Sequence, residues 1–205
     1  MNKGNKILSF LLSVLICSFH AYGLTATETI ANTKSKIEGA KTLSADFSMQ
    51  SSGQSVKGQI YSKGNKFSIV TPATGNWYNG RELYTYDASA KETYLFKPTA
   101  SELMEINPLL YIKSYNLYKV QESKKSKGSM KKVVLIPKKN GTGIKSISID
   151  INTKSFMPTS VTILPTSGAE IKLMISNIRL NGEIPDKTFE YPKTKYAGIP
   201  ITDLR

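Results

Sequence analysis

The sequence predicts a mostly-β protein in which a curled antiparallel sheet presents an apolar concave face covered by short helices. Three observations carry this prediction. Short segments of period-two hydrophobicity recur along the chain, separated by polar turns rich in Gly, Asn and Ser. About ten such strands exceed what a flat sheet usually carries, so the sheet must curl. A few segments with helix-start signals interrupt the strands, and they are the available filler for a concave apolar face.

The first elements are N-terminal. Lys3 and Lys6 precede an almost wholly apolar run from Ile7 to Phe19, and Ala21-x-Gly23 follows with small residues. This is the form of a secretory signal, and the run is shorter than the stretch of about 20 residues that spans a bilayer. Cys17 is preceded by Ile16, whereas a bacterial lipobox places a small residue there, so lipidation is not expected. Residues 1–23 are thus read as a signal peptide and residues 24–205 as a single domain. Thr25-x-x-Glu28 has the form of a capping box and opens a helix that continues through Ile30, Ile37 and Ala40.

From Leu43 the period changes to two, with Leu43, Ala45, Phe47 and Met49 alternating with polar residues. Further strands are expected over 56–62, 66–71, 82–86 and 92–97. Turns at Ser51-Ser52-Gly53, Lys63-Gly64-Asn65 and Asn79-Gly80 separate them, the last suited to a tight hairpin. Thr99-x-x-Glu102 is a second capping-box pattern. Asn107-Pro108 looks like a third helix start, followed by Leu109, Leu110 and Ile112. Strands resume over 115–121, 131–137, 145–151, 160–164 and 170–180. Their turn signals are Lys127-Gly128, Asn140-Gly141 and Ser167-Gly168.

Composition narrows the chemistry. With 205 residues, 40% hydrophobic and 21% charged, the chain suits one globular domain. Its only Cys and only His, Cys17 and His20, lie within the expected signal. The exported chain therefore has no disulfide, thiolate nucleophile, Cys/His metal site or Ser-His-Asp triad. Asp87, Glu92, Glu102 and Glu105 are scattered and read as caps and solvated charges. No glycine-rich phosphate loop occurs. No catalytic, metal or cofactor residue is assigned.

The net charge is +13. Ten lysines (113, 119, 124, 125, 127, 131, 132, 138, 139 and 145) face a single acid, Glu122, in that region. They form either a contact for an acidic partner or anionic headgroups, or a solvated hairpin. Nucleic acid is not expected in the compartment that the signal addresses. Tyr78, Tyr84, Tyr86 and Tyr94 are open to two readings, strand packing or stacking on a ligand. Alternation is compatible with Phe47, Met49, Ile60, Phe67, Ile69, Leu83 and Leu95 sharing one concave face. Pattern alone leaves open whether that face closes into a solid core or parts to admit an acyl chain.

Several stretches in order resemble one family. They are Leu43-Ser44-Ala45-Asp46-Phe47, Gly58-Gln59-Ile60-Tyr61 with Asn65-Lys66-Phe67, and the stretch from Asn79-Gly80 to Tyr86-Asp87, with Tyr84 where the family has Trp. Asn107-Pro108-Leu109-Leu110, then Phe189, Pro192, Gly198 and Asp203-Leu204-Arg205, complete the set. Together they resemble the LolA-type periplasmic carriers of outer-membrane lipoproteins.

The resemblance implies an unclosed β-barrel (a half-barrel) with a helical lid and a hydrophobic cavity for lipoprotein acyl chains. The cavity residues would be the seven just named, and the lid would carry Leu109, Leu110 and Ile112. It implies a soluble periplasmic monomer without cofactor, taking acylated lipoproteins from an inner-membrane releasing complex to an outer-membrane acceptor. A carrier or sensor of the same fold for another envelope lipid or glycolipid is the alternative. A lipid hydrolase is disfavoured by the missing His. Family members often carry an Arg-Pro between the second and third strands, and that Arg ties the lid shut. Here Lys63-Gly64-Asn65 stands there. The precursor is expected to be cut near Gly23. Intact-mass analysis of the exported protein checks this, and a diacylated Cys17 at the N-terminus would refute it.

Overall fold

The computed structural model describes residues 24–123 and 128–205; the expected signal, and Lys124, Lys125 and Lys127, lie outside the described residues. Helix α1 (Ala26–Glu38) opens the fold with both arms of the expected capping box: Glu28 N donates to Thr25 Oγ1 (3.2 Å) and Thr25 N to Glu28 Oε2 (2.8 Å). Its buried face combines Ala26, Ile30 and Ile37 with Thr29 and Thr33. Those two hydroxyls donate back to Thr25 O (2.7 Å) and Thr29 O (2.9 Å), so both are paired despite their burial.

Six strands then meander: β1 (Thr42–Ser51), β2 (Gln54–Lys63), β3 (Lys66–Val70), β4 (Thr74–Tyr78), β5 (Leu83–Asp87) and β6 (Glu92–Phe96). Helices α2 (Ala100–Ile106) and α3 (Leu110–Lys113) and a 3-10 turn (Tyr115–Leu117) follow. A second meander comprises β7 (Tyr118–Glu122), β8 (Met130–Pro137), β9 (Ile144–Asn152), β10 (Met157–Pro165) and β11 (Ile171–Leu180). A short strand, β12 (Ile201–Asp203), ends the fold.

All twelve strands form one sheet in the order β12-β6-β5-β4-β3-β2-β1-β11-β10-β9-β8-β7. The sheet is not closed; β12 and β7 are its two edges, which makes it a half-barrel. The meanders meet where β11 pairs antiparallel with β1. Between Ser44↔Arg179 and Asp46↔Ser176 the register shifts, so Asn177 and Ile178 oppose Ala45. Asn177 takes a left-handed conformation (φ 52°), which Asn tolerates better than most residues, and its Nδ2 donates to Asp46 Oδ2 (2.8 Å). Such a bulge bends a strand and increases its twist, as a curled sheet requires.

Strand register sorts the side chains. Leu43, Ala45, Phe47 and Met49 share the concave face with Ile60, Phe67, Ile69, Leu83, Leu173, Ile175, Val161, Ile149 and Val133. Helix α1 covers the β7–β10 half of that face. The convex face of β3–β6 is also buried, because residues after β11 run back across it. Tyr191 stacks on Tyr84 (5.1 Å between ring centroids), Tyr196 lies 4.2 Å from Tyr86, and both flank Trp77 edge-on. The segment ends with β12 pairing parallel to β6, the only parallel pair in the sheet among the described residues.

The structure corrects some expectations. Strand β4 was not among the expected strands; Gly75-Asn76 interrupts the apolar alternation there. Gly75 is needed in it: the Trp77 indole folds over this position, and a Cβ would fall 2.1 Å from that ring. Strand β12 was also missed, and the strand expected from 115 begins at Tyr118 after the 3-10 turn. The Asn79-Gly80 hairpin is wider than a two-residue turn. Tyr78 pairs with Leu83, and Asn79 Oδ1 accepts from Arg81 N and Glu82 N. Among the described residues, no helix is long and apolar enough to cross a membrane.

The bulge yields a test. Asn177→Gly keeps the left-handed backbone accessible, and its melting temperature should stay within a few degrees of the parent. Asn177→Val must strain that backbone, at a cost of roughly 1–3 kcal/mol, and should melt clearly lower by circular dichroism. Equal melting of the two variants would remove the bulge from the account.

Candidate lipid-binding cavity

Beneath the link from α2 to α3 lies a cavity of about 190 Å³ that is partly open to solvent. Its floor is the concave face where the meanders meet. Phe47 and Met49 come from β1, Ile60 from β2, Ile69 from β3, Ile163 from β10, and Ile171, Leu173 and Ile175 from β11. Its roof is Ile106, Pro108 and Leu109. Thr71, Thr74, Asn76 and Glu105 give it a polar margin. The threonine hydroxyls bond each other (3.0 Å), and Asn76 Oδ1 accepts from Thr85 Oγ1 (2.9 Å). The margin is thereby largely occupied with itself, and the rest of the lining is aliphatic or aromatic.

Gly58 shapes this floor. It pairs with Phe47, and a Cβ there would lie 2.5 Å from the Phe47 ring and 2.5 Å from the Val70 carbonyl. The missing side chain lets the ring lie across β2.

Of the seven predicted cavity residues, Phe47, Met49, Ile60 and Ile69 line the cavity. Phe67 and Leu83 share the concave face but are packed in the core outside it, with Phe67 against Tyr78 (5.3 Å). Leu95 is corrected. It pairs with Tyr84, the neighbour of concave-facing Leu83, so it points to the convex side and Phe96 takes the concave position. The expected parity was one residue out on β6, and one residue reverses the face. Ile163, Ile171, Leu173 and Ile175 were missed. Their alternation was visible, but their place beside β1 depends on pairing about 130 residues apart in sequence.

The predicted lid residues behave differently from one another. Leu109 is buried and roofs the cavity, Leu110 is partly buried, and Ile112 is fully buried with Tyr111 beside it. Helix α3 begins two residues later than the expected Asn-Pro start. Buried Asn107 still caps the turn, accepting from Leu109 N at Oδ1 (3.2 Å). Burial pushes the Tyr111 hydroxyl up to about 12, and the Lys113 ammonium at the end of α3 is shifted down by the same cause. By contrast α2 has no fully buried residue; Leu103, Met104 and Ile106 only rest on the core. Its capping box is complete, and the hydrogen bonds from Thr99 hold the Glu102 carboxyl below its ordinary range. Among the described residues no salt bridge ties α2 to the sheet. Helix α3 is thus held by burial, and α2 is the more lightly held of the two.

The scattered acids do not converge. Asp87 accepts from Ser89 N and Oγ, Glu92 from Tyr94 and Thr202, and Glu102 from Thr99. Of the clustered tyrosines, Tyr84 is stacked on one ring and Tyr86 packs tilted against another, which is the packing reading.

Comparison with known proteins adds the following. The profile of the family described as outer membrane lipoprotein carrier protein LolA matches residues 17–166. Among curated proteins, none matches the chain in sequence. An uncharacterized conserved protein from Thermus thermophilus is similar in structure, with a TM-score of 0.58, 10% identity, and coverage of 87% of this chain and 99% of that one. A DUF1329 family protein from Desulfovibrio piger has a TM-score of 0.50 at 10% identity, over 81% of this chain and 96% of that one. A LolA superfamily protein from Nitrosomonas europaea has a TM-score of 0.45 at 14% identity, over 82% and 99%.

The unequal burial of the two helices is testable by hydrogen exchange. Thr99→Ala removes the cap of α2, worth about 1 kcal/mol. Exchange across residues 100–106 should rise about fivefold, while residues 109–113 stay unchanged. A uniform rise across both helices would mean that they open as one piece.

Proposed function

The chain belongs to the outer membrane lipoprotein carrier protein LolA family, and on that premise we propose that it is a periplasmic carrier, not an enzyme, that shields lipoprotein acyl chains between the inner and outer membranes. The observation that carries this reading is the apolar cavity under a lightly held helix. Each methylene moved from water into such a site contributes about 0.8 kcal/mol. Affinity therefore needs no charged or catalytic group.

The cavity is smaller than its cargo. An apolar cavity of about 150 Å³ holds a benzene-sized guest, so one of about 190 Å³ takes a guest of about that size and not a full acyl chain. An acyl chain requires α2 to lift, exposing the row from Met49 to Ile171 along the floor. Closure here rests on apolar contact, with Gly64-Asn65 in place of the family's latching Arg. The acyl chain competes for the surface that Ile106, at the end of α2, covers, so loading and lid closure exclude each other. Release then needs only a better apolar site elsewhere, with no nucleotide or metal at the carrier.

Two measurements check this. Mass spectrometry of material co-purified from the periplasm should identify acylated protein; free lipid or glycolipid instead would move the reading to a carrier of that lipid. Met49→Glu places a charge on the cavity floor at a position that is only partly buried. It should weaken binding of a fluorescent fatty acid more than tenfold while the protein stays folded. Unchanged binding by the folded variant would remove the cavity as the site.

A further inference from the structure

We propose that the end of the molecule carrying Leu117 docks on an anionic phospholipid bilayer. This goes beyond the carrier reading and does not depend on what the cavity holds. Leu117 closes the 3-10 turn between α3 and β7, and it is 53% exposed; among the described residues only Leu204 is a more exposed large apolar side chain. It is also held in place. Its carbonyl accepts from Lys138 N (3.3 Å), and Lys138 Nζ donates to the adjacent Asn116 O (2.9 Å). Leu117 therefore sits against the root of the β8–β9 hairpin.

That root is a lysine cluster. Lys138 and Lys139 follow β8, Lys145 lies at the start of β9, and Lys119 is two residues beyond Leu117; all four are exposed. Pairing of Tyr118 with Pro137 brings the β7 and β8 members together. Residues 106–121 and 128–149 contain no acidic side chain. The β10–β11 connection, joined to this hairpin by Thr166 N to Gly143 O (2.9 Å), adds one acid, Glu170. The surface stays strongly positive.

A bilayer fits this surface better than an acidic protein does. Protein interfaces favour Arg and aromatic anchors and are depleted in Lys. Here every cation is Lys, a point charge on a long apolar stem, suited to a diffuse negative potential. An exposed Leu with such stems nearby can enter the headgroup boundary while the ammonium groups stay among the phosphates. The surface lies just after α3 in the chain, so docking would bring the helical roof of the cavity next to the membrane.

The test uses the exported full-length protein and co-sedimentation with vesicles. Vesicles of phosphatidylglycerol with phosphatidylethanolamine should bind it, and vesicles of phosphatidylcholine should not. Each lysine near an anionic surface is worth about fivefold in partitioning. The triple variant Lys138→Gln, Lys139→Gln, Lys145→Gln should thus bind about a hundredfold more weakly. Leu117→Ser should bind about tenfold more weakly. The emission of Leu117→Trp should shift to the blue on adding anionic vesicles; the only other Trp, Trp77, is buried on the convex face.

Unchanged vesicle binding by the triple variant, or equal binding to phosphatidylcholine, would overturn the proposal. So would binding to polyglutamate without binding to vesicles, which would assign the surface to an acidic protein. All variants should bind fluorescent fatty acid as the parent does, which separates failure here from failure of the carrier reading.

Discussion

The pairing of β11 with β1 is the constraint on which the rest of the molecule depends. Each meander alone is a local structure built from hairpins. Only the seam between them produces a concave surface wide enough to hold a cavity, and the cavity lies along that seam. The bulge at Asn177, braced by Asp46, bends the sheet where bending is needed. Gln59 from β2 donates to the same carboxylate, and these two hydrogen bonds hold Asp46 below its ordinary range. One half-buried acid thereby links three neighbouring strands on the convex side of the cavity floor.

The two faces of the β3–β6 half are packed for different ends. On the convex side Trp77, Tyr84 and Tyr86 meet Tyr191 and Tyr196, and the Tyr191 hydroxyl lies 3.0 Å from Thr93 Oγ1. Rings packed on rings, with the polar tip satisfied, leave little room for rearrangement. On the concave side β1–β3 and β11 offer flexible aliphatic chains and one unfilled space. The shell is therefore packed ring on ring where the C-terminal segment straps it and holds its unfilled space on the other face.

Local signals were legible in the sequence and distant ones were not. Both capping boxes could be seen because Thr and Glu three residues apart satisfy each other's backbone without help from elsewhere. The β1 face was legible because Leu43 to Met49 alternates without a break. Leu95 was misplaced because β6 follows a turn whose length the sequence does not reveal. Half of the cavity floor escaped notice because Ile171, Leu173 and Ile175 become neighbours of Phe47 only through long-range pairing. Strand β4 was hidden by Gly75, a residue that signals a turn but here makes room for the Trp77 ring. Of the segment expected to act as a lid, α3 carries the buried Tyr111 and Ile112, whereas α2 rests on the core with no fully buried residue.

The unfilled space also makes volume a thermodynamic coordinate for this protein. Voids are eliminated when a chain unfolds, so hydrostatic pressure favours the unfolded state in proportion to them. The empty form carries its void of about 190 Å³ at the seam that joins the two meanders. Compression therefore bears first on β1–β11, the pairing that is slowest to re-form because its partners are far apart in the chain. A hydrocarbon guest that fills the space removes that weakness. Occupancy would be readable as resistance to pressure, even where it leaves the melting temperature little changed.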